Sequence, residues 1–211
     1  MSKQLRIWLF VLLSTLLTST SLPAEGVITM TTSKPIGSII DLTIEANGNI
    51  TIEGIKGTPS LGWRSYTLSD QTVTIRGNVT ELDCSFNQLT SLDVSGCIAL
   101  TTLRCWGNQL TSLDLSGCIA LTMLSCYYNQ LTSLNVSGCT ALTELKCWNN
   151  QLTSLDLSGC TALTKLDCSN NQLTSLDVSK NTALTQLVCY SNRLTSLDVS
   201  QNTALLSLIH I

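Results

Sequence analysis

Cysteine is the residue type whose number and spacing in this chain could do chemistry. The chain has ten cysteines among 211 residues, and thiols form disulfides, bind metal ions or act as nucleophiles. Six are spaced 21 residues apart, and four more repeat with the same spacing about half a period later. The first column is Cys84, Cys105, Cys126, Cys147, Cys168 and Cys189, and the second is Cys97, Cys118, Cys139 and Cys160. Such regular spacing indicates two repeated structural positions.

Cysteines stacked in this way are poorly placed for disulfides or metal binding. Neighbouring strands lie about 4.8 Å apart, whereas the Cβ atoms of a disulfide are about 3.8 Å apart. Zinc sites normally use closely spaced pairs such as Cys-x-x-Cys, and the sequence contains none. We therefore expect free, buried thiols, no metal site and no cofactor. Some disulfides, or a metal held by these thiols, are the alternatives.

The remaining residues offer no catalytic group. The single histidine, His210, stands in the position otherwise held by cysteine, which favours terminal packing over catalysis. A column of acidic residues recurs every 21 residues and could bind calcium, but the glycine-rich nonapeptide of calcium-binding repeats is missing, so a structural role is expected. Its members are Asp93, Asp114, Asn135, Asp156, Asp177 and Asp198. We predict that the protein is not an enzyme.

Aromatic residues are rare, at 5% of the chain, yet they cluster beside the first cysteine column. The position after each of these cysteines holds Ser85, Trp106, Tyr127, Trp148, Ser169 and Tyr190, and the next position adds Phe86 and Tyr128. Because side chains alternate along a strand, the residues directly after the cysteines should point outward, and exposed aromatic patches are typical of interaction sites. The position before each cysteine also points outward, and four of its six residues are charged: Asp83, Arg104, Lys146 and Asp167. The candidate binding residues are Trp106, Tyr127, Trp148, Tyr190, Tyr128, Arg104 and Lys146.

Both groups also have a structural interpretation. The aromatic rings could stack to stabilise the sheet, and the charges could form cross-strand pairs worth a few tenths of a kcal/mol each. The neighbouring opposite charges are Asp83 with Arg104, Lys146 with Asp167, and Glu144 with Lys165.

The positions of these residues follow from a repeat. From about residue 79 to 211 the chain reads L-T-x-L-x-C-x-x-N-Q-L-T-S-L-D-[VL]-S-x-x-x-A in six full copies and a partial seventh. One unit is too short to bury its own apolar residues, so stacked units must bury them as ladders. The L-D-V segment repeats the L-x-x-L pattern half a unit later. Each coil should therefore have two extended sides and few or no helices.

The segments Leu100-Thr-Thr-Leu-Arg-Cys-Trp-Gly-Asn-Gln-Leu110 and their counterparts resemble leucine-rich repeats, with cysteine as the third apolar residue. They are most similar to short-period repeats of secreted and surface proteins of Gram-negative bacteria, and more loosely to internalins. The resemblance implies a mainly-β solenoid with a parallel sheet of L-x-C strands on its concave face. It implies that the second cysteine column replaces an asparagine that satisfies backbone groups. It also implies that the protein binds another protein. The aromatic rings make a glycan the alternative ligand.

The first 24 residues are typical of a secretory signal peptide. Lys3 and Arg6 precede an apolar run of 11 residues, too short for the roughly 20 that a membrane anchor needs. Cleavage after Ala24 predicts a secreted, cell-surface or periplasmic protein with no membrane insertion. It changes the formal net charge from −3 to −5. With no basic run, a nucleic-acid partner is not expected.

The two flanks of the repeats lead to different expectations. Residues 25–78 alternate apolar and polar residues between glycines, which predicts a β-rich cap over the first coil. The last residues, Leu208-Ile-His-Ile211, match the strand part of the repeat, so we expect the chain to end inside a strand. An uncovered strand edge can recruit another strand. The alternative to ligand binding is therefore a structural surface component that assembles end to end.

Overall fold

The computed structural model describes residues 26–209, so the predicted signal peptide at 1–24 and the interpretation of His210 lie outside the described residues. Residues 26–209 form sixteen strands and no helix, which confirms a mainly-β solenoid. None of them forms a helix long and apolar enough to cross a membrane. The strands before the repeats are β1 (Val27–Thr32), β2 (Ile39–Ala46), β3 (Thr51–Glu53), β4 (Ile55–Lys56), β5 (Gly62–Leu68) and β6 (Thr72–Arg76). Those of the repeats are β7 (Val79–Asp83), β8 (Leu89–Asp93), β9 (Thr102–Arg104), β10 (Ser112–Asp114), β11 (Met123–Ser125), β12 (Ser133–Asn135), β13 (Glu144–Lys146), β14 (Lys165–Asp167), β15 (Gln186–Val188) and β16 (Ser207–Ile209).

The L-x-C segments form one continuous parallel sheet, called here the L-x-C sheet. Its strands run in the order β16-β15-β14-β13-β11-β9-β7, and the antiparallel strands β2, β5 and β4 extend it beyond β7. Equivalent residues pair in register, so that Leu82 lies beside Leu103 and Leu103 beside Leu124. The register places every twenty-first residue in one row across the sheet. Residues that share one outward position of the repeat therefore lie side by side on the surface of the sheet.

The opposite side of each coil, called here the L-D-V side, is paired less regularly. There β8 joins a four-stranded sheet with β1, β6 and β3, and β10 pairs only with β12. Beyond Asn135, the described residues form no further strand on this side. Close pairing on one side and loose pairing on the other is what curvature of a solenoid produces, with the L-x-C sheet on the concave side.

The core consists of stacked apolar ladders between the two sides. Leu82, Leu103, Leu124, Leu145, Leu166 and Leu187 are fully or almost fully buried, as are Leu89, Leu110, Leu131, Leu152 and Leu173. In β16 the ladder reaches the edge of the sheet, where Leu208 is 45% exposed. The interior is therefore continuous from coil to coil, as the repeat predicts.

Asparagine side chains connect the coils at the end of each L-x-C segment. The amide nitrogen of Asn150 donates to the carbonyl oxygens of Cys147 in its own coil and Cys126 in the preceding coil, at 3.0 and 3.1 Å. Its side-chain oxygen accepts a hydrogen bond from the backbone nitrogen of Leu131 at 2.9 Å. The same three bonds recur at Asn108, Asn129, Asn171 and Asn192. Each asparagine thus satisfies buried backbone groups of two coils.

The N-terminal strands cover the first coil on both sides. Strand β2 pairs antiparallel with β7 in the L-x-C sheet, and β1 pairs antiparallel with β8 on the L-D-V side. Strands β1, β2, β3 and β6 coincide with segments whose alternation predicts strands. Strands β4 and β5 were not predicted. In β5, Tyr66 and Leu68 are buried, but Trp63, Arg64 and Ser65 are all exposed, which hides the alternation.

Candidate functional site

The outward residues of the L-x-C sheet form rows that continue into the N-terminal strands. Asp83 pairs with Arg104 on β9 and with Thr43 on β2, and Thr43 pairs with Trp63 on β5. Register partners present their side chains on the same face of a sheet. The candidate surface is therefore wider than the repeats alone, because the N-terminal strands add residues to it.

The aromatic column forms a stack along the sheet. The ring centroids of Trp106 and Tyr127 are 5.0 Å apart with planes 19° from parallel, and those of Tyr127 and Trp148 are 4.6 Å apart at 9°. Phe86 meets Trp106 edge-on at 4.2 Å, and Tyr128 meets Trp148 edge-on at 4.5 Å. The three stacked rings are half-buried, whereas Phe86 and Tyr128 are 63% and 51% exposed. We call these five residues the aromatic stack.

Two members of the aromatic stack sit on left-handed backbone. Phe86 and Tyr128 have φ angles of 57° and 53°, which bulky residues rarely adopt. The same repeat position in other coils holds glycine, asparagine or serine. Gly107 makes room for its neighbour, because a Cβ there would lie 2.8 Å from the ring of Phe86. The backbone at this position thus favours small or amide residues, and two coils place aromatic rings on it.

Tyr190 stands apart from the aromatic stack. Ser169 occupies the row between Trp148 and Tyr190, and Tyr190 makes no aromatic contact within the described residues. The structure therefore brings together four of the five aromatic candidates: Trp106, Tyr127, Tyr128 and Trp148. Burial raises the pKa of Tyr127, with Lys146 acting in the opposite direction, so the hydroxyl is neutral at physiological pH.

The charged candidates do not form the cross-strand pairs that the sequence suggested. Arg104 approaches Glu81, with an Nη1–Oε2 distance of 4.0 Å, and its other terminal nitrogen lies 3.7 Å from the sulfur of Met123. Lys146 pairs with Glu144 on its own strand. No ion pair joins Asp83 to Arg104, or joins Lys165 or Asp167 to a partner, within residues 26–209. The three predicted neighbours are paired by the register but form no ion pairs, because other groups on the same face are within reach: Glu144 lies two residues from Lys146 on one strand, and Glu81 lies on the strand beside Arg104.

Sequence reasoning missed Trp63, whose side chain is 63% exposed on the same face. Strand β5 was not predicted, so no face could be assigned to the residue. The signal that could have placed it is the alternation of Tyr66 and Leu68 with polar residues, because Trp63 is an odd number of residues from both and so falls on the opposite face.

All ten cysteines are free thiols buried in the structure. Those of the first column pack in the apolar interior, and the sulfur of Cys147 makes no hydrogen bond there. Burial raises the pKa of every one of these thiols, to about 12 for Cys126 and to about 11 for Cys189. Thiols that remain protonated are poor nucleophiles, which fits a packing role.

The second cysteine column makes a hydrogen bond in each coil, whereas in the first column, within residues 26–209, only the sulfur of Cys84 makes one, to the carbonyl oxygen of Arg104 at 3.6 Å. The sulfurs of Cys118, Cys139 and Cys160 lie 3.4, 3.3 and 3.5 Å from carbonyl oxygens of the preceding coil. In later coils Asn181 and Asn202 take this position and donate to the equivalent carbonyl oxygens at 3.1 and 3.0 Å. The thiol thus replaces the asparagine amide as a hydrogen-bond donor, as the resemblance implied.

The acidic column on the L-D-V side is explained by turn formation. The carboxylate of Asp114 accepts a hydrogen bond from the backbone nitrogen of Ser116 at 3.0 Å, and Asn135 accepts the same bond from Ser137 at 3.1 Å. Equivalent bonds occur at Asp93, Asp156, Asp177 and Asp198. No group of His, Cys, Asp or Glu suited to a metal ion occurs in residues 26–209. The repeated aspartate therefore has a local structural role in every coil.

The comparison with known families follows the repeat pattern. The family model described as leucine-rich repeats in two copies matches residues 77–117, 140–181 and 161–208, which together cover just over half of the chain. The protein belongs to the leucine-rich-repeat family. No curated protein sequence matches it.

Solved structures with the same fold come from bacterial repeat proteins. A functional domain of InlJ from Listeria monocytogenes that includes a cysteine ladder is 47% identical, with a TM-score of 0.61, and the match covers 63% of this chain and 30% of that one. A leucine-rich-repeat protein of Leptospira interrogans is 25% identical, with a TM-score of 0.55 and coverage of 58% and 34%. Internalin C2 of Listeria monocytogenes is 25% identical, with a TM-score of 0.54 and coverage of 60% and 59%. This chain spans less than two thirds of each.

Proposed function

We propose that the protein is an exported binding module that recognises a protein on its concave L-x-C sheet. Leucine-rich repeats generally bind proteins, and the internalin-like neighbours fit that role. The candidate contact residues are the aromatic stack, with Arg104, Lys146 and Tyr190 at its margins. No catalytic activity is proposed, because the thiols are buried in the core and the repeated carboxylates form turns.

The observation that carries this proposal is the left-handed backbone under Phe86 and Tyr128. Left-handed geometry costs a non-glycine residue roughly 1–2 kcal/mol. A stack that served only stability would do better with asparagine or glycine there, as in neighbouring coils. Aromatic rings kept at such positions, and more than half exposed, point to contact with a partner.

The geometry of the aromatic stack favours a protein over a glycan. Sugar rings bind on the flat faces of aromatic side chains, but the faces of Trp106, Tyr127 and Trp148 lie against one another. The outward surfaces are ring edges together with the exposed rings of Phe86 and Tyr128. Such a surface suits the packed side chains of a protein interface.

A binding screen tests this proposal. Residues 25–211 would be applied to arrays of extracellular proteins and of glycans, beside the double variant Trp106→Ala/Trp148→Ala. We expect a protein ligand that the parent binds and the folded double variant does not. Binding only to glycans, or binding indifferent to both tryptophans, would contradict the proposal.

End-to-end assembly through β16 is the second candidate. Leu206 is 89% exposed, and Leu208 and Ile209 are each 45% exposed beside the free edge of the strand. Light scattering should show association that rises with protein concentration and is removed by Leu208→Lys. A strict monomer at high concentration would refute assembly and leave ligand binding as the function.

We further propose the organisation expected from the sequence: a signal peptide at 1–24, a cap at 25–78 and the solenoid at 79–211. N-terminal sequencing of protein recovered outside the cell should begin at Glu25. An intact N-terminus, or retention of the protein in the cytoplasm, would contradict export.

A further inference from the structure

An open groove lies where the N-terminal strands meet the first coils. Its volume is about 230 Å³, and it is lined by Trp63 on one side and by Phe86 and Trp106 on the other, together with Asp41 and Asp83. It opens on the same face as the aromatic stack. The groove combines three aromatic rings with two carboxylates, in a chain where only 5% of residues are aromatic.

The sheet register fixes the relative positions of these residues. Trp63 pairs with Thr43, and Thr43 pairs with Asp83. Strands β5 and β9 are three strand spacings apart, roughly 14 Å. Side chains the size of tryptophan can span much of that gap from both sides. Asp41 lies two residues before Thr43, so its side chain is on the same face.

The two carboxylates carry charge that no cation compensates. Neither Asp41 nor Asp83 forms an ion pair within residues 26–209. Each is held by a hydrogen bond that leaves an oxygen available: Asp41 accepts one from the hydroxyl of Ser65, and Asp83 accepts one from the backbone nitrogen of Ser85 at 3.0 Å. The groove is therefore a preformed negative site.

The nearest cations are directed elsewhere. Arg104 neighbours Asp83 in the sheet but turns toward Glu81 and Met123. Lys34 donates to the carbonyl oxygen of Ile39 and to the side chain of Asn87. An incoming positive group would thus meet the carboxylates without displacing an existing ion pair.

We propose that this groove receives the side chain of an arginine from a polypeptide partner. A guanidinium is planar, so it packs against aromatic faces while its nitrogens donate to carboxylates, often in pairs. Trp63 would cover the group from the N-terminal strands and the exposed ring of Phe86 from the coils, with Trp106 in contact with Phe86 at 4.2 Å. This inference rests on the proposed protein-binding role of the concave sheet and assigns one element of what the partner must present.

The test uses N-acetylarginine methylamide and its neutral, nearly isosteric counterpart N-acetylcitrulline methylamide. Both would be titrated into residues 25–211 while the indole N–H signals of Trp63 and Trp106 are followed by NMR. We expect the arginine compound to shift both signals at millimolar concentration and the citrulline compound to bind at least about tenfold more weakly. The indole signal of Trp148, away from the groove, should move little.

Variants of single aspartates test which carboxylates bind the arginine compound. Asp83→Asn should reduce the affinity for the arginine compound about tenfold, and Asp41→Asn should act in the same direction. Asp167→Asn is the control, because Asp167 occupies the same repeat position and accepts the same backbone bond, from Ser169 at 3.1 Å. Trp63→Leu should abolish the shift of Trp106 while the rest of the spectrum shows a folded chain.

Equal shifts with arginine and citrulline compounds, or equal effects of Asp83→Asn and Asp167→Asn, would overturn the groove assignment. That failure is distinct from failure of the proposed function. Partner binding that still depends on Trp148 would leave the concave sheet as the binding surface, with this groove outside the contact.

Discussion

The two sides of each coil share one apolar core, but they differ in how their strands pair and in which residues face outward. On the L-x-C side the strands pair continuously, and the outward positions change from coil to coil: Arg104, Ser125 and Lys146 follow one another in a single row. On the L-D-V side pairing is interrupted, and the outward residues are nearly the same in every coil. Turn formation explains why the outward residues of the L-D-V side repeat. It does not explain why the outward residues of the L-x-C sheet vary. The comparison supports the proposal that the L-D-V side mainly maintains the fold and that the L-x-C side binds the partner.

The largest expected difference concerns the asparagine columns of the two sides. Asn150→Ala removes the acceptor for the backbone nitrogen of Leu131 as well as two donated hydrogen bonds, which should lower the free energy of unfolding by about 3 kcal/mol. Asn181→Ala removes two donated bonds, and its side-chain oxygen has no partner to lose. We expect a loss of about 1–2 kcal/mol there.

Urea unfolding of both alanine variants measures this difference. Asn181 is the more deeply buried of the two, at 0% exposure against 8% for Asn150. An account based on burial alone therefore predicts the opposite order. A larger loss at Asn181 would show that the two sides are not distinguished by backbone hydrogen bonding.

The two cysteine columns should respond differently to serine. Cys147→Ser places a hydroxyl in an apolar position without a hydrogen-bond partner and should cost about 2 kcal/mol. Cys139→Ser retains a donor for the carbonyl oxygen of Leu115 and should cost less than about 1 kcal/mol. Cys139→Asn is the natural alternative found at Asn181, and it should be equally mild. Equal losses at both positions in urea unfolding would remove the distinction between the columns.

Tyr128 should separate stability from binding. Tyr128→Asn relieves left-handed strain and removes an edge-on contact with Trp148. The two effects are each about 1 kcal/mol and of opposite sign, so the melting temperature should change little while partner affinity falls. A large loss of stability in Tyr128→Asn would support the interpretation that the rings serve the sheet alone.

The acidic column should give the smallest effect, visible as a pH dependence. The backbone hydrogen bond from the serine two residues later lowers the pKa of Asp114, Asp156, Asp177 and Asp198. A lowered pKa in the folded state stabilises the protein above the unfolded value of about 3.9, and that stability is lost as the pH falls through the folded values.

Replacing these four aspartates with asparagine tests the effect. Asn135 already makes the same bond in its coil, so the variant should fold. Thermal unfolding between about pH 6 and pH 3 should show a smaller decline for the variant than for the parent. Parallel declines would mean that other carboxyl groups control the acid response.

The sequence was sufficient for the features that depend on period alone. The 21-residue spacing predicted the ladders, the parallel sheet and the shared column of cysteine and asparagine. The spacing could not predict the conformations of long side chains, and therefore not their contacts. Arg104 lies near Glu81 and Lys146 pairs with Glu144, and not with their register neighbours, because several oppositely charged groups lie within reach on one face. Stacking of the rings was one of the two interpretations of the aromatic column, and Trp106 and Tyr127 do stack, but the sequence could not decide it because stacking depends on neighbouring rotamers and not on register.

In the N-terminal region even less of the structure could be predicted from the sequence. Without a repeat, only strands with clear alternation could be predicted, and the antiparallel pairing of β2 with β7 could not. Trp63 consequently had no assigned face. Its place beside Asp83 follows from pairing between segments far apart in the chain.

The most direct measurement of the difference between the two sides is the affinity of one protein ligand for variants matched by side. Trp106→Ala/Trp148→Ala alters the L-x-C sheet, and Ile98→Ala/Ile119→Ala removes two exposed apolar side chains outside it, at 46% and 57% exposure. Calorimetric titration should show at least about a 30-fold loss for the tryptophan pair and no change for the isoleucine pair. A comparable loss for both pairs, or a loss confined to the isoleucine pair, would contradict the assignment of function to the L-x-C sheet.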